Sequence, residues 1–307
     1  MPHSPFRTIN TGIVMRLLVL GITGMLGSTA FRLLSRWGGH EVYGTARDSA
    51  ARAWFPEIAE DCILTGIDVA NADRLAAVMA RVGPDIVINA IGVIKQIDDA
   101  LDPLIAIPIN AEFPHRLATL CALAGARLIH ISTDCVFSGR VGGYRETDPP
   151  DATDLYGLSK YLGEIDRPNA VTLRTSIIGP EPAAQHGLVE WFLAQRGSVK
   201  GYTGAVFSGL TSAELTRVIA EYVIPRPDLR GLYHVAAKPI AKYDLLQWLR
   251  AEYRHPVSIE AAAEPIIDRS LDGDRFRAAT GYTAPDWPDM IRQMHALDER
   301  RRQGPTK

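Results

Sequence analysis

Leu17-Leu18-Val19-Leu20-Gly21-Ile22-Thr23-Gly24-Met25-Leu26-Gly27 is the stretch that decides the fold. Four consecutive apolar residues without alternation fit a strand buried on both faces of a parallel sheet. Gly21 permits the tight turn, Gly24 lets backbone approach a pyrophosphate, and Gly27 lets the next helix pack on the sheet. The N-terminus of that helix presents unpaired N–H groups and the positive end of its dipole to phosphate. Thr23, Met25 and Leu26 complete the turn, so the segment from Gly21 to Gly27 is a candidate dinucleotide cradle. The spacing is GxxGxxG rather than GxGxxG. Such a match is weak alone, and the strand before it and helix after it supply the context it requires.

Outward from this stretch, apolar runs predict strands at 17–20, 41–45, 66–69, 85–90, 128–133 and 170–174. Helical patterns fall between them at 28–36, 73–82, 112–124 and 156–164. Alternating strands and helices predict an α/β fold, a Rossmann-type doubly wound parallel sheet with helices on both faces. Gly179-Pro180-Glu181-Pro182 breaks the pattern, and later segments are shorter, with a strand at 232–236 and a helix at 243–253. The expected organisation is a disordered extension (1–14), an NAD(P)-binding Rossmann domain (15–179), a smaller C-terminal substrate-binding lobe (180–298) with some strands returning to the main sheet, and a polar tail (299–307). Either Met1 or Met15 serves as the natural start in this reading.

Ligands of such sheets bind beyond the carboxyl ends of the strands. Twenty residues past Gly27 stands Arg47, suited to a 2′-phosphate and hence to NADPH, with NADH as the alternative. Asp48 is one position late for the acidic role at the adenosine ribose. Asp68, followed by Val69, either accepts a hydrogen bond from adenine or caps the next helix. Asn89, Ala90, Ile91 and Gly92 end the fourth strand with residues over which a flat ring and a ribose fit.

The second chemical signal is Tyr156-Gly157-Leu158-Ser159-Lys160. Tyrosine and lysine four apart share one helix face, a turn from each other. A cation there favours the phenolate and lowers the phenol pKa. A phenol tuned in this way can trade a proton with a carbonyl or alcohol. Thr133, at a strand end 23 positions earlier, places a hydroxyl in the same region. Together these features point to redox chemistry at a carbonyl.

Composition narrows the classes. Of 307 residues, 47% are hydrophobic and 22% charged, ordinary for a globular protein. A net charge of −2 provides no footprint for nucleic acid or membrane surfaces. Cys62, Cys121 and Cys135 are widely spaced, odd in number and in no metal-ligand pattern, so no metal is expected and a reducing cytoplasm fits. No apolar run reaches the ~18 residues of a membrane span.

The glycine segment, together with Ile131-Ser132-Thr133-Asp134-Cys135-Val136-Phe137-Ser138-Gly139, Tyr156-Gly157-Leu158-Ser159-Lys160 and Leu173-Arg174-Thr175-Ser176, resembles the extended short-chain dehydrogenases/reductases. Within them it most resembles the dTDP-4-dehydrorhamnose reductase family. The resemblance implies NAD(P)H-dependent reduction of a nucleotide-linked 4-keto-6-deoxy sugar, for surface-polysaccharide synthesis in the cytoplasm. It implies catalytic roles for Thr133, Tyr156 and Lys160, the last also bonding the nicotinamide ribose, and often a homodimer. Lys95, Gln96, Asp134, Cys135 and Val136 fall where that family meets its sugar. Cys135 stands where tyrosine is frequent, and Ile177 and Ile178 where an aromatic is frequent, which leaves the sugar and its dTDP, UDP or GDP carrier open. The alternatives are a sugar-nucleotide epimerase or dehydratase that recycles its NAD(P), and a cofactor-binding regulatory subunit.

Overall fold

The computed structural model describes residues 14–94, 101–182 and 187–303. The chain runs β1 (Arg16–Leu20), α1 (Met25–Trp37), β2 (Glu41–Thr45), β3 (Ile63–Leu64), α2 (Ala72–Val82), β4 (Ile86–Asn89), α3 (Pro103–Ala106), α4 (Phe113–Leu123), β5 (Arg127–Thr133), α5 (Leu155–Leu162) and β6 (Ala170–Thr175). There follow β7 (Ile177–Ile178), α6 (Leu188–Ala194), β8 (Ser198–Tyr202), β9 (Ala205–Phe207), β10 (Leu210–Thr211), α7 (Ser212–Val218), β11 (Gly231–His234), β12 (Ile240–Ala241), α8 (Lys242–Glu252), β13 (Ser258–Ala262), β14 (Ile267–Asp268), α9 (Asp274–Thr280) and α10 (Trp287–Gln303).

Seven strands, all parallel, form the central sheet in the order β11-β6-β5-β4-β1-β2-β3. The order reverses at β1, so the crevice between the carboxyl ends of β1 and β4 is the switch point where such folds take ligands. Leu17 and Val19 face one core with α1, α7, α8 and α10, whereas Leu18 and Leu20 face the other with α2 and α4. A strand covered on both faces needs apolar residues at every position, which is why its sequence does not alternate.

Glycines set the approach of helix to sheet. A side chain at Gly27 would fall on the Gly21 carbonyl oxygen, and one at Gly21, whose φ is +83°, would lie 2.7 Å from the Ile91 side chain. α1 therefore starts at Met25, three residues earlier than the sequence pattern suggested, and its first turn sits over the switch point.

Two elements differ from expectation. The third strand is Ile63–Leu64, paired with Gly44 and Thr45, and not 66–69. Gly66 turns the chain at φ +74°. Beyond it only isolated bonds, Gly66 N–H to the Arg47 carbonyl and Ile67 N–H to the Ala46 carbonyl, follow β2. The helix expected from 112 is preceded by α3 and a π turn over Ile107–Glu112 that joins it to α4. Pro103 and Pro108 obscure that run in sequence, yet Pro103 is tolerated in the first turn, after Asp102 caps the Leu104 N–H at 2.8 Å.

Past β6 the chain builds three small sheets, β10-β7, β12-β9-β14 and β13-β8, before and after β11 joins the edge of the main sheet. A third apolar cluster, Val136, Phe137, Tyr144 and Leu271, fastens the loop after β5 to this later region. No helix among the described residues is long and apolar enough to cross a membrane.

Gly27→Ala is expected to cost about 3 kcal/mol or more, because backbone rather than a flexible side chain must yield. Urea denaturation measures it, and an unchanged midpoint would show that α1 can lift from the turn at no cost.

Candidate active site

The residues singled out by the sequence gather at the carboxyl ends of β1, β2, β4 and β5, facing the first two turns of α5. At β1, the Gly24 N–H bonds back to the Gly21 carbonyl at 3.1 Å, and α1 opens without a side-chain cap or an acidic residue in its first turn. Gly24 is exposed and Thr23 half-buried, with Met25 lying against Gly179 and Gly187. The first N–H groups of α1 thus have no intrahelical acceptor. At β2, Arg47 is exposed, while the Asp48 carboxylate accepts the Ala50 N–H at 2.8 Å. Asp48 is thereby occupied as a cap. Asp68 is exposed and accepts the Ala70 N–H at 2.9 Å in the turn before α2, whose cap is Asn71 rather than Asp68.

Several expected ligand contacts are corrected by packing. The side chains of Leu26 and Val69 belong to the two main cores, leaving only their backbone available. Asn89 is fully buried; its amide nitrogen lies 3.1 Å from His130 Nδ1, and its oxygen accepts the Ile91 N–H at 3.1 Å. It shapes the turn after β4 and presents no surface. Val136, also fully buried, packs with Phe137, Tyr144 and Leu271, so it cannot face a substrate. Ala90, Ile91 and Gly92 remain at the crevice, and a side chain at Gly92 would lie 3.7 Å from Lys160 Nζ. Lys95 and Gln96 lie outside the described residues.

Tyr156 and Lys160 share α5, whose N-terminus is capped by Asp154 through the Gly157 N–H at 2.9 Å. Gly157 lets the helix close on the Cys135 carbonyl, and Gly163 lets it close on the Asn110 carbonyl. The pair is thus clamped between the turn after β5 and the π turn before α4. The Thr133 hydroxyl lies beside the Tyr156 phenol and favours its ionised form. The same hydroxyl donates to Asp134 Oδ1 at 3.2 Å and accepts the Cys135 N–H at 3.1 Å. Asp134 is buried, and beside the bond from Thr133 the nearby Cys135, Ser176 and Arg269 side chains favour its carboxylate. Burial pushes its carboxyl up against them.

Electrostatics here differ from the expectation that Lys160 depresses the phenol. Burial pushes Tyr156 well above its ordinary range, and Cys135, Asp134 and Asp154 push the same way, with only the Thr133 hydroxyl opposing. The Lys160 ammonium instead donates to the Ile131 carbonyl at 2.9 Å. Burial lowers Lys160 to about 8, with Glu164 pulling upward. His130, beneath it, is held neutral by burial and by the positive charge of Lys160.

One positioning residue escaped the sequence reading. Asn110, in the π turn, is 1% exposed; its Oδ1 accepts the Val93 N–H at 2.9 Å, and its Nδ2 donates to the Val93 carbonyl at 3.1 Å and to Ser159 Oγ at 3.2 Å. It joins the end of β4 to the Tyr/Lys helix. A widened helical turn often marks a functional site, but no short motif announces one. A cavity of 1020 Å³ on the far side of α1, between Arg32, Trp54 and Arg300, holds none of these residues.

A doubly wound sheet with a glycine cradle at its switch point and a Thr/Tyr/Lys set across it defines the extended short-chain dehydrogenase/reductase class. The profile of the RmlD substrate binding domain matches residues 15–296. The chain belongs to that family, and the resemblance read from its motifs holds. It is 25% identical to the dTDP-4-dehydrorhamnose reductase of Aggregatibacter actinomycetemcomitans over 92% of this chain and 99% of that one. The probable low-salt glycan biosynthesis reductase Agl14 of Haloferax volcanii is 32% identical over 169 residues, about half the length of either protein (53% and 54%). The crystal structure of dTDP-4-dehydrorhamnose reductase from Bacillus anthracis in complex with NADP superposes with a TM-score of 0.76 at 21% identity, covering 92% of this chain and 99% of that one.

Asn110→Ala would strand the buried Val93 N–H and carbonyl and is expected to lower stability by about 2 kcal/mol. Chemical denaturation tests this, and a loss below about 0.5 kcal/mol would remove Asn110 from the framework of the site.

Proposed function

We propose that this chain is an NADPH-preferring reductase of a nucleotide-activated 4-keto-6-deoxy sugar, acting in nucleotide-sugar and surface-polysaccharide synthesis. The observation that carries the reading is Tyr156 and the buried Lys160 one turn apart on α5, the ammonium seated on the Ile131 carbonyl two residues before Thr133 and close to Gly92 beyond the end of β4. Relatives matched along the whole chain bear the name dTDP-4-dehydrorhamnose reductase, which supports this substrate class.

The cradle fits a dinucleotide: a Cβ at Gly24 would meet only the Gly21 carbonyl oxygen, at 3.6 Å, so the turn is bare where a diphosphate needs backbone. Gly21, Thr23, Gly24, Met25, Leu26 and Gly27 hold the diphosphate through backbone N–H groups and the dipole of α1. Arg47 meets the 2′-phosphate of NADPH, and without it NADH would serve. Ala90, Ile91 and Gly92 border the nicotinamide ribose, which Lys160 bonds. When bound, the cofactor supplies the hydride for the sugar carbonyl carbon. Tyr156, kept protonated by its surroundings, delivers a proton to the oxygen on which charge develops, and Thr133 hydrogen-bonds that oxygen. A phenol that stays neutral suits reduction, where the enzyme must give a proton.

Cys135 meets the sugar, together with Lys95 and Gln96, with buried Asp134 behind it, and the region 180–298 closes over it while 15–179 holds the cofactor. The protein works in the cytoplasm as a homodimer. Leu104, Ile107, Leu158, Tyr161 and Leu162 support pairing: they are exposed on α3, the π turn and α5, which pack side by side. Nucleic acid has no part in this reading.

The purified protein with NADPH and a panel of nucleotide-linked 4-keto-6-deoxy sugars tests the proposal by loss of reduced-nicotinamide absorbance. Oxidation that depends on one sugar names the substrate. None across the panel, with cofactor bound, favours an epimerase or dehydratase that recycles NAD(P), or a regulatory subunit. Tyr156→Phe is expected to leave NADPH binding intact and reduce turnover by about two orders of magnitude or more. Unchanged turnover would exclude the phenol as proton donor. Arg47→Ala should weaken NADPH by about tenfold or more and NADH little, and equal losses would refute the 2′-phosphate contact.

A further inference from the structure

The Tyr/Lys helix ends on a carboxylate that the mechanism above leaves unused. Glu164 follows Lys160 by one turn, and its side chain is 11% exposed. Its Oε1 accepts from the Ser132 hydroxyl at 2.7 Å and from Arg174 Nε at 2.8 Å, while Oε2 accepts from a terminal Arg174 nitrogen at 2.6 Å. Arg174, 1% exposed, continues to His234 Nε2 at 2.9 Å, and its guanidinium lies 5.0 Å from the centre of the Phe137 ring. His234 donates from Nδ1 to the Tyr144 carbonyl at 3.0 Å and is held neutral by burial and by Arg174.

This chain of contacts surrounds the seat of Lys160. Ser132 lies between Ile131, whose carbonyl takes the ammonium, and Thr133, whose hydroxyl lies beside Tyr156. The ionisable groups around Lys160 are Tyr156 of α5, Glu164 just past the C-cap of α5, neutral His130 from β5 with His115 of α4 behind it, and Arg174 of β6, whose charge Glu164 offsets. Asp134 lies beyond Tyr156. Resting on the reductase reading, we propose that Glu164 is a positioning residue for Lys160: it keeps the ammonium charged against the Ile131 carbonyl and fixes the end of α5 to β5 and β6. Without this carboxylate two buried cations, Lys160 and Arg174, would share a region of low polarity, and the lysine is the one able to release its proton.

The sign of the effect is fixed. Lys160, at about 8, carries its charge below that pH and loses it above, and Glu164 opposes the loss. Glu164→Gln keeps the shape of the side chain and removes the charge. The alkaline limb of kcat/KM for NADPH-dependent reduction should then move down by about one pH unit, a loss of about tenfold near pH 9 and much less near pH 6. A limb that stays in place, in a variant with wild-type circular dichroism, would overturn the proposal. If Glu164→Gln does not fold, Glu164→Asp decides, because its charge sits a methylene farther from Lys160. Its limb should move the same way by about half a unit, and an unmoved limb overturns the proposal equally. NADPH affinity against pH, read by fluorescence, carries the same limb through the ribose contact. A chain that binds NADPH but reduces no sugar would therefore defeat the functional reading while still testing Glu164.

Discussion

Where α1 leaves the glycine turn, the Gly21 carbonyl oxygen occupies the space that any side chain at position 27 would need. That exclusion holds the helix down on the sheet, brings Phe31 and Leu34 into the core, and aims the uncapped end of α1 at the crevice between β1 and β4. Gly44 repeats the device one strand away, where a Cβ would lie 3.0 Å from the Phe31 ring. Gly157 and Gly163 repeat it on α5. The candidate site is thus assembled by backbone drawn close to backbone, and its side chains occupy positions that missing side chains have made.

Residue identity and strand ends made much of this legible. Thr133, 23 positions before the Tyr156–Lys160 pair, is placed with it by motif, and the structure brings the three into one region. Period and composition could not tell which side of a strand end meets a ligand. Asn89 and Val136 stand at such ends yet turn inward, the first to His130 and the second to Phe137 and Tyr144. The two-residue β3 was too short to leave a period, and the stronger apolar pattern just after it belongs to a turn. Asn110 was hidden because its value lies in three bonds to distant residues, and a lone asparagine near a proline reads as a loop.

Charge was the least legible property. A lysine one turn from a tyrosine suggests a lowered phenol, but burial acts on both groups at once, raising Tyr156 and lowering Lys160. Depth therefore outweighs proximity, since removing water penalises whichever form is charged. The ammonium answers by bonding a main-chain carbonyl. The phenol of the resulting site holds its proton tightly, whereas the lysine gives its proton up more readily than a solvated one would.

The return of β11 to the main sheet bears on how the chain is made. This strand pairs with β6 along its whole length, and His234 at its end meets a terminal nitrogen of Arg174. Both belong to residues translated well after the glycine turn and the Tyr/Lys helix. A nascent chain that has just released β6 carries an open parallel edge and a buried-type arginine lacking one partner. Completion of the nucleotide-type half must therefore wait on the ribosome, and the intermediate exposed during that delay is the species on which a chaperone or an aggregating neighbour would act.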